Sequence, residues 1–106
     1  MAASGEVVCI FTSTRTLDHE QQYDTWAQSM DGLVRSTPGY LRHVSVRDDQ
    51  SQRGVTISYF NSHEAVEQWR QHAEHQRAQQ LGREQFYEEY SIDIATVDRS
   101  YRWSAS

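Results

Sequence analysis

The segment Glu6–Thr14, with the sequence EVVCIFTST, constrains the fold of this 106-residue chain more than any other. Its apolar residues occupy both alternating faces of an extended chain: Val7, Cys9 and Phe11 on one face, Val8 and Ile10 on the other. Strands with apolar residues on both faces are usually covered on both sides. The segment therefore predicts a strand within a sheet that is buried on both faces.

Two later segments have the periodicity of amphipathic helices. The first runs from Leu17 to the Pro38-Gly39 pair, with a capping-box pattern at Asp18 and Gln21. Its apolar residues recur every three or four positions, at Tyr23, Trp26, Met30, Leu33 and Val34. The second follows a cap signal at Asn61 and Glu64 and loosens near Gly82. Its predicted buried side consists of Ala65, Val66, Trp69, His72 and Ala73.

Three further segments have the pattern of strands, which completes the order βαββαβ. Leu41–Arg47 and Val55–Phe60 flank a polar turn and should form a hairpin, and Tyr90–Val97 is the last strand. This order is typical of the ferredoxin-like α+β fold, an antiparallel four-stranded sheet with both helices on one face. Right-handed crossovers place the first and third strands in the middle. We expect a single domain over residues 1–106.

The helices of such a fold cover only one face of the sheet. The opposite face of the central strands, with Val8 and Ile10 or their alternates, would be exposed in a monomer, and apolar patches of this kind usually mark interfaces. A homodimer packed sheet to sheet would cover it. The alternative is that the C-terminal tail folds over this face, but so short a segment cannot cover four strands.

Composition and charge exclude several classes of protein. All ten basic residues are arginines, 15 acidic residues outnumber them, and they form no basic stripe, so nucleic acid is not an expected partner. Cys9 is the only cysteine, which excludes an intrachain disulfide and a multi-thiolate metal site. No segment approaches the roughly 18 apolar residues of a membrane helix, and the first residues do not resemble a signal peptide. We expect a cytoplasmic protein without a membrane partner.

Several segments together resemble one known family. They are the PGY turn at residues 38–40, ISYFNSHEAVEQW at residues 57–69, HAEHQRAQQLGREQFYEEY at residues 72–90, and the closing IDIATVDRSYRW at residues 92–103. With the order of elements, these segments resemble the antibiotic biosynthesis monooxygenase superfamily, whose members are dimeric α+β barrels. The resemblance spans nearly the whole chain and is strongest from Ile57 to Trp103.

The resemblance implies a homodimer with a small-molecule pocket in each subunit, between the helices and the sheet. Well-understood members oxidise electron-rich phenols or anthrones with O2 and use no metal, flavin or haem. Other members degrade haem, isomerise lactones or process a signalling sugar phosphate. Because function resides in the site rather than in the fold, the family implies the architecture more strongly than the substrate.

The haem-degrading branch can be compared residue by residue. That branch has a tryptophan on the second helix, an iron-binding histidine ten residues later and an asparagine on the first strand. Trp69 matches the tryptophan, but Gln79 stands ten residues later and Glu6–Thr14 contains no asparagine. Without an axial imidazole the iron would be poorly held. The comparison therefore argues against haem cleavage and agrees with a site that has no cofactor.

Trp69, His72 and His75 follow one another at intervals of three and form a row along one flank of the second helix. Core packing explains a tryptophan on an apolar stripe without any further role. A metal site needs three or four converging ligands, and two histidines on one helix supply two at most. His43 or Glu74 could add another, but the sequence contains no HExxH or carboxylate-histidine signature. We therefore predict no metal site.

A catalytic role requires fewer groups. An oxygenase without a cofactor must remove a proton from a flat phenol inside an apolar cavity, and imidazole is the side chain whose ordinary pKa suits that task. His72 is the first candidate for the base and His75 the second. Trp69, Trp26 and Tyr59 are candidate walls for the substrate, and Arg83 could stabilise a developing oxyanion. The alternatives are a dimer that binds or senses a small molecule without turnover, and an isomerase using the same pocket.

Overall fold

The chain folds into the predicted succession of strands and helices. A computed structural model describes residues 5–18, 20–79 and 86–105, with the backbone alone for residues 74–79. The strands are β1 (Val7–Arg15), β2 (Tyr40–Arg47), β3 (Arg53–Phe60) and β4 (Tyr87–Thr96). The helices are α1 (Glu20–Arg35) and α2 (His63–Gln79). The predicted order βαββαβ is therefore confirmed, although β4 begins three residues earlier than its sequence pattern indicated.

The four strands form one sheet in the order β2-β3-β1-β4, and every neighbouring pair is antiparallel. The predicted central position of the first and third strands is confirmed. In the register, Cys9 on β1 lies opposite Ser58 on β3 and Ile94 on β4. Because side chains alternate between the two faces of a strand, this register decides which residues of all four strands point toward the helices.

The core lies between the sheet and the two helices. Residues of β1 and β3 pack against α2 through side chains spaced at helical intervals, Val66, Trp69 and Ala73, all of them buried. A second cluster joins Trp26 of α1 to Phe86 and Tyr87 at the start of β4. Complete burial of a side chain such as Val66 or Phe86 stabilises the fold by about 1.5–3 kcal/mol relative to exposure. The strand β1 is thus held from one side by both helices.

The first turn of α2 differs in detail from the predicted cap. The Ser62 hydroxyl accepts a hydrogen bond from the backbone N–H of Ala65 at 3.1 Å, so Ser62 is the N-cap rather than Asn61. Asn61 has another role, because its backbone N–H donates to the carbonyl of Gly39 at 2.9 Å. This bond joins the beginning of α2 to the turn that precedes β2.

The face of the sheet away from the helices is apolar and partly uncovered. Val44 and Val46 of β2 lie on this open face and are 57% and 61% exposed. Tyr101 and Trp103 of the tail are 83% and 85% exposed, so these aromatic side chains do not cover the sheet of their own chain. The alternative in which the tail buries the open face is therefore wrong. Among the described residues, no helix has the length and apolar character needed to cross a membrane.

Candidate functional site

A cavity of about 290 Å³ lies between the helices and the sheet. Its walls include five aromatic side chains, Phe11, Tyr23, Trp26, Trp69 and Tyr87. Smaller or flexible apolar side chains line it as well, namely Cys9, Ala27, Met30, Val34, Ala73 and Ile92. The polar groups that reach it are Asp31, His43, Ser45, Arg47, Thr56, Ser58 and Arg70. An apolar cavity with a few polar groups is the usual form of a small-molecule site.

One wall of the cavity is a polar strip on β2. The alternate residues His43, Ser45 and Arg47 face the helices, whereas Val44 and Val46 face the other way. Across the strand, the register pairs His43 with Ser58 and Ser45 with Thr56 on β3, and the hydroxyls of Ser45 and Thr56 are 2.7 Å apart. The strand therefore turns its polar side to the cavity and its valines to the open face.

At one end of this strip the imidazole of His43 contacts a polar side chain at each ring nitrogen. Nε2 lies 3.0 Å from Oδ1 of Asp31 on α1, and Nδ1 lies 2.7 Å from the hydroxyl of Tyr40. The side chain of His43 is only 13% exposed. A neutral imidazole can donate from Nε2 to the carboxylate and accept from Tyr40, whereas an imidazolium donates to both. Asp31 and Tyr40 thus hold the imidazole of His43 in place through both of its ring nitrogens.

The carboxylate of Asp31 is itself held in place from the outside. Its second oxygen, Oδ2, accepts a hydrogen bond from Nε of Arg35 at 2.8 Å, one helical turn later on α1. This hydrogen bond, together with the negative charge of Asp31, raises the pKa of Arg35 above its ordinary value. With both oxygens engaged, Asp31 can orient the imidazole of His43.

The other end of the strip is occupied by the guanidinium group of Arg47. Its terminal nitrogens donate to the carbonyl of Gln52 at 2.5 Å and to the hydroxyl of Ser13 at 3.1 Å. A longer bond of 3.5 Å reaches the hydroxyl of Tyr23. A Cβ atom at Gly54, directly opposite on β3, would lie 2.8 Å from Cζ of Arg47. The missing side chain of Gly54 therefore provides the space in which the guanidinium lies.

The structure brings together some of the residues predicted for the site and separates others. Trp26 and Trp69 line the cavity, on α1 and α2 respectively. Tyr59 does not, because its neighbours Ser58 and Phe60 point toward the helices and strand alternation places Tyr59 on the open face. There its ring is stacked with the guanidinium of Arg42, 3.9 Å from the centroid. The expected place of Tyr59 at the cavity wall is therefore wrong.

His72 lies outside the cavity. It is exposed, and its side chain borders a shallow depression with Leu33, Pro38 and Gln68 instead. The expectation that it lies near the buried side of α2 is wrong, because Trp69 and Ala73 occupy the buried stripe and His72 is turned away from both. His75 belongs to α2, but its side chain lies outside the described residues, as does all of Arg83. Their roles stay predictions.

The comparisons with known proteins agree with this architecture. The family model for antibiotic biosynthesis monooxygenase matches residues 7–81. The uncharacterized protein YqjZ of Bacillus subtilis (strain 168) is 40% identical over 90 residues, which are 85% of this chain and 77% of that protein. The chain belongs to the antibiotic biosynthesis monooxygenase family. The resemblance found in the sequence is thereby confirmed.

Solved structures with low sequence identity share the fold of this family member. A variant of SnoaB, a cofactor-independent oxygenase from Streptomyces nogalater, superposes with a TM-score of 0.73 at 15% identity and covers 92% of this chain and 97% of its own. The protein PA3566 from Pseudomonas aeruginosa has a TM-score of 0.67 at 21% identity and covers 98% and 100%. The ferredoxin-like fold is therefore that of monooxygenase-like proteins.

Sequence reasoning did not find the acidic and basic ends of the polar strip. Asp31 stands on α1 next to Met30 and Val34, and Arg47 ends β2, so neither belongs to a recognisable motif. One available signal was the alternation in LRHVSVR, which places His43, Ser45 and Arg47 on the same face of a strand. His43 entered the sequence analysis only as an accessory metal ligand. Within the described parts of the chain, no group of three or more His, Cys, Asp or Glu side chains could hold a metal ion.

Proposed function

We propose that this protein is an oxygenase that acts on a flat phenolic or quinol-type molecule in the cavity and requires no cofactor. The observation that carries the proposal is the His43–Asp31 pair, whose Nε2 and Oδ1 atoms lie 3.0 Å apart at the wall of a cavity that five aromatic side chains help to line. SnoaB, described as a cofactor-independent oxygenase, has the same fold and supports this class of reaction.

The proposed reaction begins with the removal of a proton from the bound molecule. Nδ1 of His43 accepts that proton once the hydroxyl of Tyr40 has released it, and Asp31 at Nε2 stabilises the resulting positive charge. The electron-rich carbanion or phenolate that remains transfers an electron to O2. For an anthrone, the overall change converts CH2 to C=O with one oxygen atom of O2, and the second oxygen atom leaves as water. Aromatic walls exclude bulk water during these steps.

The test is oxygen uptake with anthrones and hydroquinones, measured for the wild-type protein and three single variants. We expect His43→Ala to lower turnover by about 10²–10⁴-fold, the usual contribution of a general base. His72→Ala is the matched control, because it removes an imidazole from the same fold at an exposed position outside the cavity. His75→Ala tests the remaining sequence-based candidate.

Each outcome identifies a different base or a different function. Loss of activity in His72→Ala or His75→Ala with full activity in His43→Ala would overturn the assignment of His43 in favour of the histidine predicted from the sequence. Binding of the aromatic compounds without oxygen uptake would indicate the alternative of a binding or sensing module. Conversion of a ligand without oxygen uptake would indicate an isomerase.

We also propose that two copies of the chain associate through their open faces. Val44 and Val46 are exposed there, and the tail of the same chain does not cover them. Burial of such a patch against a second copy would remove it from water, which is the main driving force of association between subunits. A cytoplasmic location stays a prediction from the sequence.

A further inference from the structure

Two guanidinium groups lie around a single aromatic ring at one end of the cavity. Cζ of Arg15 is 3.6 Å and Cζ of Arg47 is 5.9 Å from the centroid of the Tyr23 ring. Arg15 is only 8% exposed, and its buried Nε atom has no hydrogen-bond partner among the described residues. Tyr23 and Arg47 line the cavity directly, whereas Arg15 is stacked on the ring of Tyr23.

These two positive charges have no acidic partner among the residues that the structure describes. In the described parts of the chain, the other arginine that lines the cavity is Arg70, and it forms an ion pair with Glu67. Neither Arg15 nor Arg47 forms one with a described carboxylate. Burial of a charged group without a counter-charge is unfavourable, and two such groups near each other repel. An anion bound at this end would relieve both effects.

The hydroxyl of Tyr23 is arranged to help hold an anion. Ser13 and Tyr23 each accept a hydrogen bond from Arg47, and the Tyr23 hydroxyl, which lines the cavity, keeps its own hydrogen for another acceptor. The guanidinium also keeps donors, because the bonds to Gln52, Ser13 and Tyr23 use three of its five N–H groups. A planar guanidinium with free N–H groups matches a carboxylate particularly well.

We propose that Arg47 and Tyr23, backed by Arg15, form a carboxylate subsite, and that the natural ligand is an aromatic acid. The inference rests on the proposed function only in taking the cavity as the ligand site. The ligand would then lie along the polar strip, with its carboxylate at Arg47 and its ionisable hydroxyl or methylene group at His43.

The length of the strip limits the size of this ligand. His43 and Arg47 are four residues apart on one strand, a span of about 13 Å at the usual rise per residue. The guanidinium of Arg47 lies over Gly54, the residue directly opposite on β3, so the side chain does not extend along the strand toward His43. Hydrogen bonds of about 2.8 Å at each end leave roughly 7–8 Å for the ligand. Two fused rings with a polar group at each end come close to that length and three exceed it, which favours a bicyclic aromatic acid.

The experiment compares two probes that differ in charge but hardly in shape, 2-naphthoate and 2-naphthamide. Their dissociation constants are measured by titration calorimetry at neutral pH, with no turnover required. For the wild-type protein we expect naphthoate to bind on the order of tenfold or more tightly than naphthamide, the usual advantage of a hydrogen bond to a charged group. In Arg47→Gln this preference should disappear, with naphthamide binding within about twofold of wild type.

Arg53→Gln is the matched control. Arg53 lies on the same hairpin and carries the same charge, but it is exposed and pairs with Glu89 outside the cavity. The preference for naphthoate should persist in this variant. If Arg47→Gln does not fold, the comparison of the two probes with the wild-type protein still tests the subsite. Arg47→Lys keeps the positive charge but lacks the planar guanidinium, so it should retain part of the preference for naphthoate.

Several results would overturn the carboxylate subsite. They are equal binding of the two probes by the wild-type protein, failure of both to bind at millimolar concentration, and a preference for naphthoate that survives Arg47→Gln. These outcomes are independent of the oxygenase proposal, which is tested by oxygen uptake. A protein that prefers naphthoate but never consumes oxygen would support the subsite and refute the oxidation.

Discussion

Gly39 shows how a single residue joins the site to the rest of the fold. It precedes Tyr40, whose hydroxyl contacts His43, and its backbone has a positive φ of 90°. A Cβ atom at this position would lie 2.6 Å from Cβ of Ala65 and 2.6 Å from Oδ1 of Asn61. The turn before β2 therefore approaches the start of α2 so closely that only glycine fits.

We expect Gly39→Ala to lower the free energy of unfolding by about 2–4 kcal/mol, since backbone strain and a steric clash act together. Gly5→Ala is the control for strain alone, because Gly5 has a φ of 94° and nothing within 4 Å of the added atom, and should cost about 1–2 kcal/mol. Urea denaturation of the three proteins measures these differences. Equal destabilisation by both substitutions would contradict the clash.

At the scale of the element, the hairpin of β2 and β3 carries most of the polar wall. Its turn is closed by backbone bonds between Asp48 and Arg53 and between Gln52 and Asp48. The carboxylate of Asp48 accepts a hydrogen bond from the backbone N–H of Ser51 at 2.8 Å. Arg47 immediately precedes this turn and donates to the carbonyl of Gln52, so the turn geometry positions the guanidinium.

The hydrogen bonds from Ser51, first from its side chain and then from its backbone, lower the pKa of Asp48 below its ordinary value of 3.8. A carboxylate whose pKa is lower in the folded state stabilises the fold above its unfolded pKa and loses that contribution as the pH falls through the folded pKa. We therefore expect Asp48→Asn to be less stable than wild type at pH 7, with a difference that begins to shrink near pH 3.8 and disappears only below the lowered pKa of the folded state.

Thermal unfolding of the two proteins between pH 7 and pH 2.5 measures this effect. Asp49→Asn is the matched control, because the neighbouring carboxylate accepts no hydrogen bond from a described residue. A difference between wild type and Asp48→Asn that stays constant down to pH 2.5 would show that the charge of Asp48 is not responsible.

The whole molecule has two unequal faces. The helices cover one side of the sheet and enclose the cavity, while the other side presents Val44 and Val46 to solvent. The same strand therefore supplies the polar wall of the site on one face and the apolar patch on the other. Any assembly through the open face would hold β2, and with it His43 and Arg47, in a fixed position.

We expect the wild-type protein to sediment as a dimer at micromolar concentration and Val46→Asp to dissociate it. A twofold interface contains each substitution twice, and burial of two unpaired carboxylates should raise the dissociation constant on the order of 100-fold or more. Leu17→Asp introduces the same charge at a position that is 81% exposed and outside the sheet, and should leave the dimer intact. A monomeric wild-type protein in analytical ultracentrifugation would refute the interface.

Most elements of the fold could be predicted from the sequence because their signals are local. The alternation in VTISYF and the three-to-four spacing from Tyr23 to Val34 each reflect the geometry of one strand or one helix. The exceptions follow from interactions with distant residues. Tyr87 belongs to β4 because it pairs with Arg15 of β1 beyond a bulge, and Ser62 replaces Asn61 as the cap because Asn61 contacts the turn at Gly39.

The sequence by itself thus determined the order of the elements, the central strands and the family, together with the two tryptophans that line the cavity. The tertiary structure decided which polar groups meet. His43 and Asp31 belong to different elements, and the rotation of α1 and the register of β2 bring them to 3.0 Å. Likewise, His72 and Tyr59 have side chains as suitable for a site as His43 and Tyr23. Their exclusion results from the direction in which each residue points, which depends on how the helices and the sheet pack together.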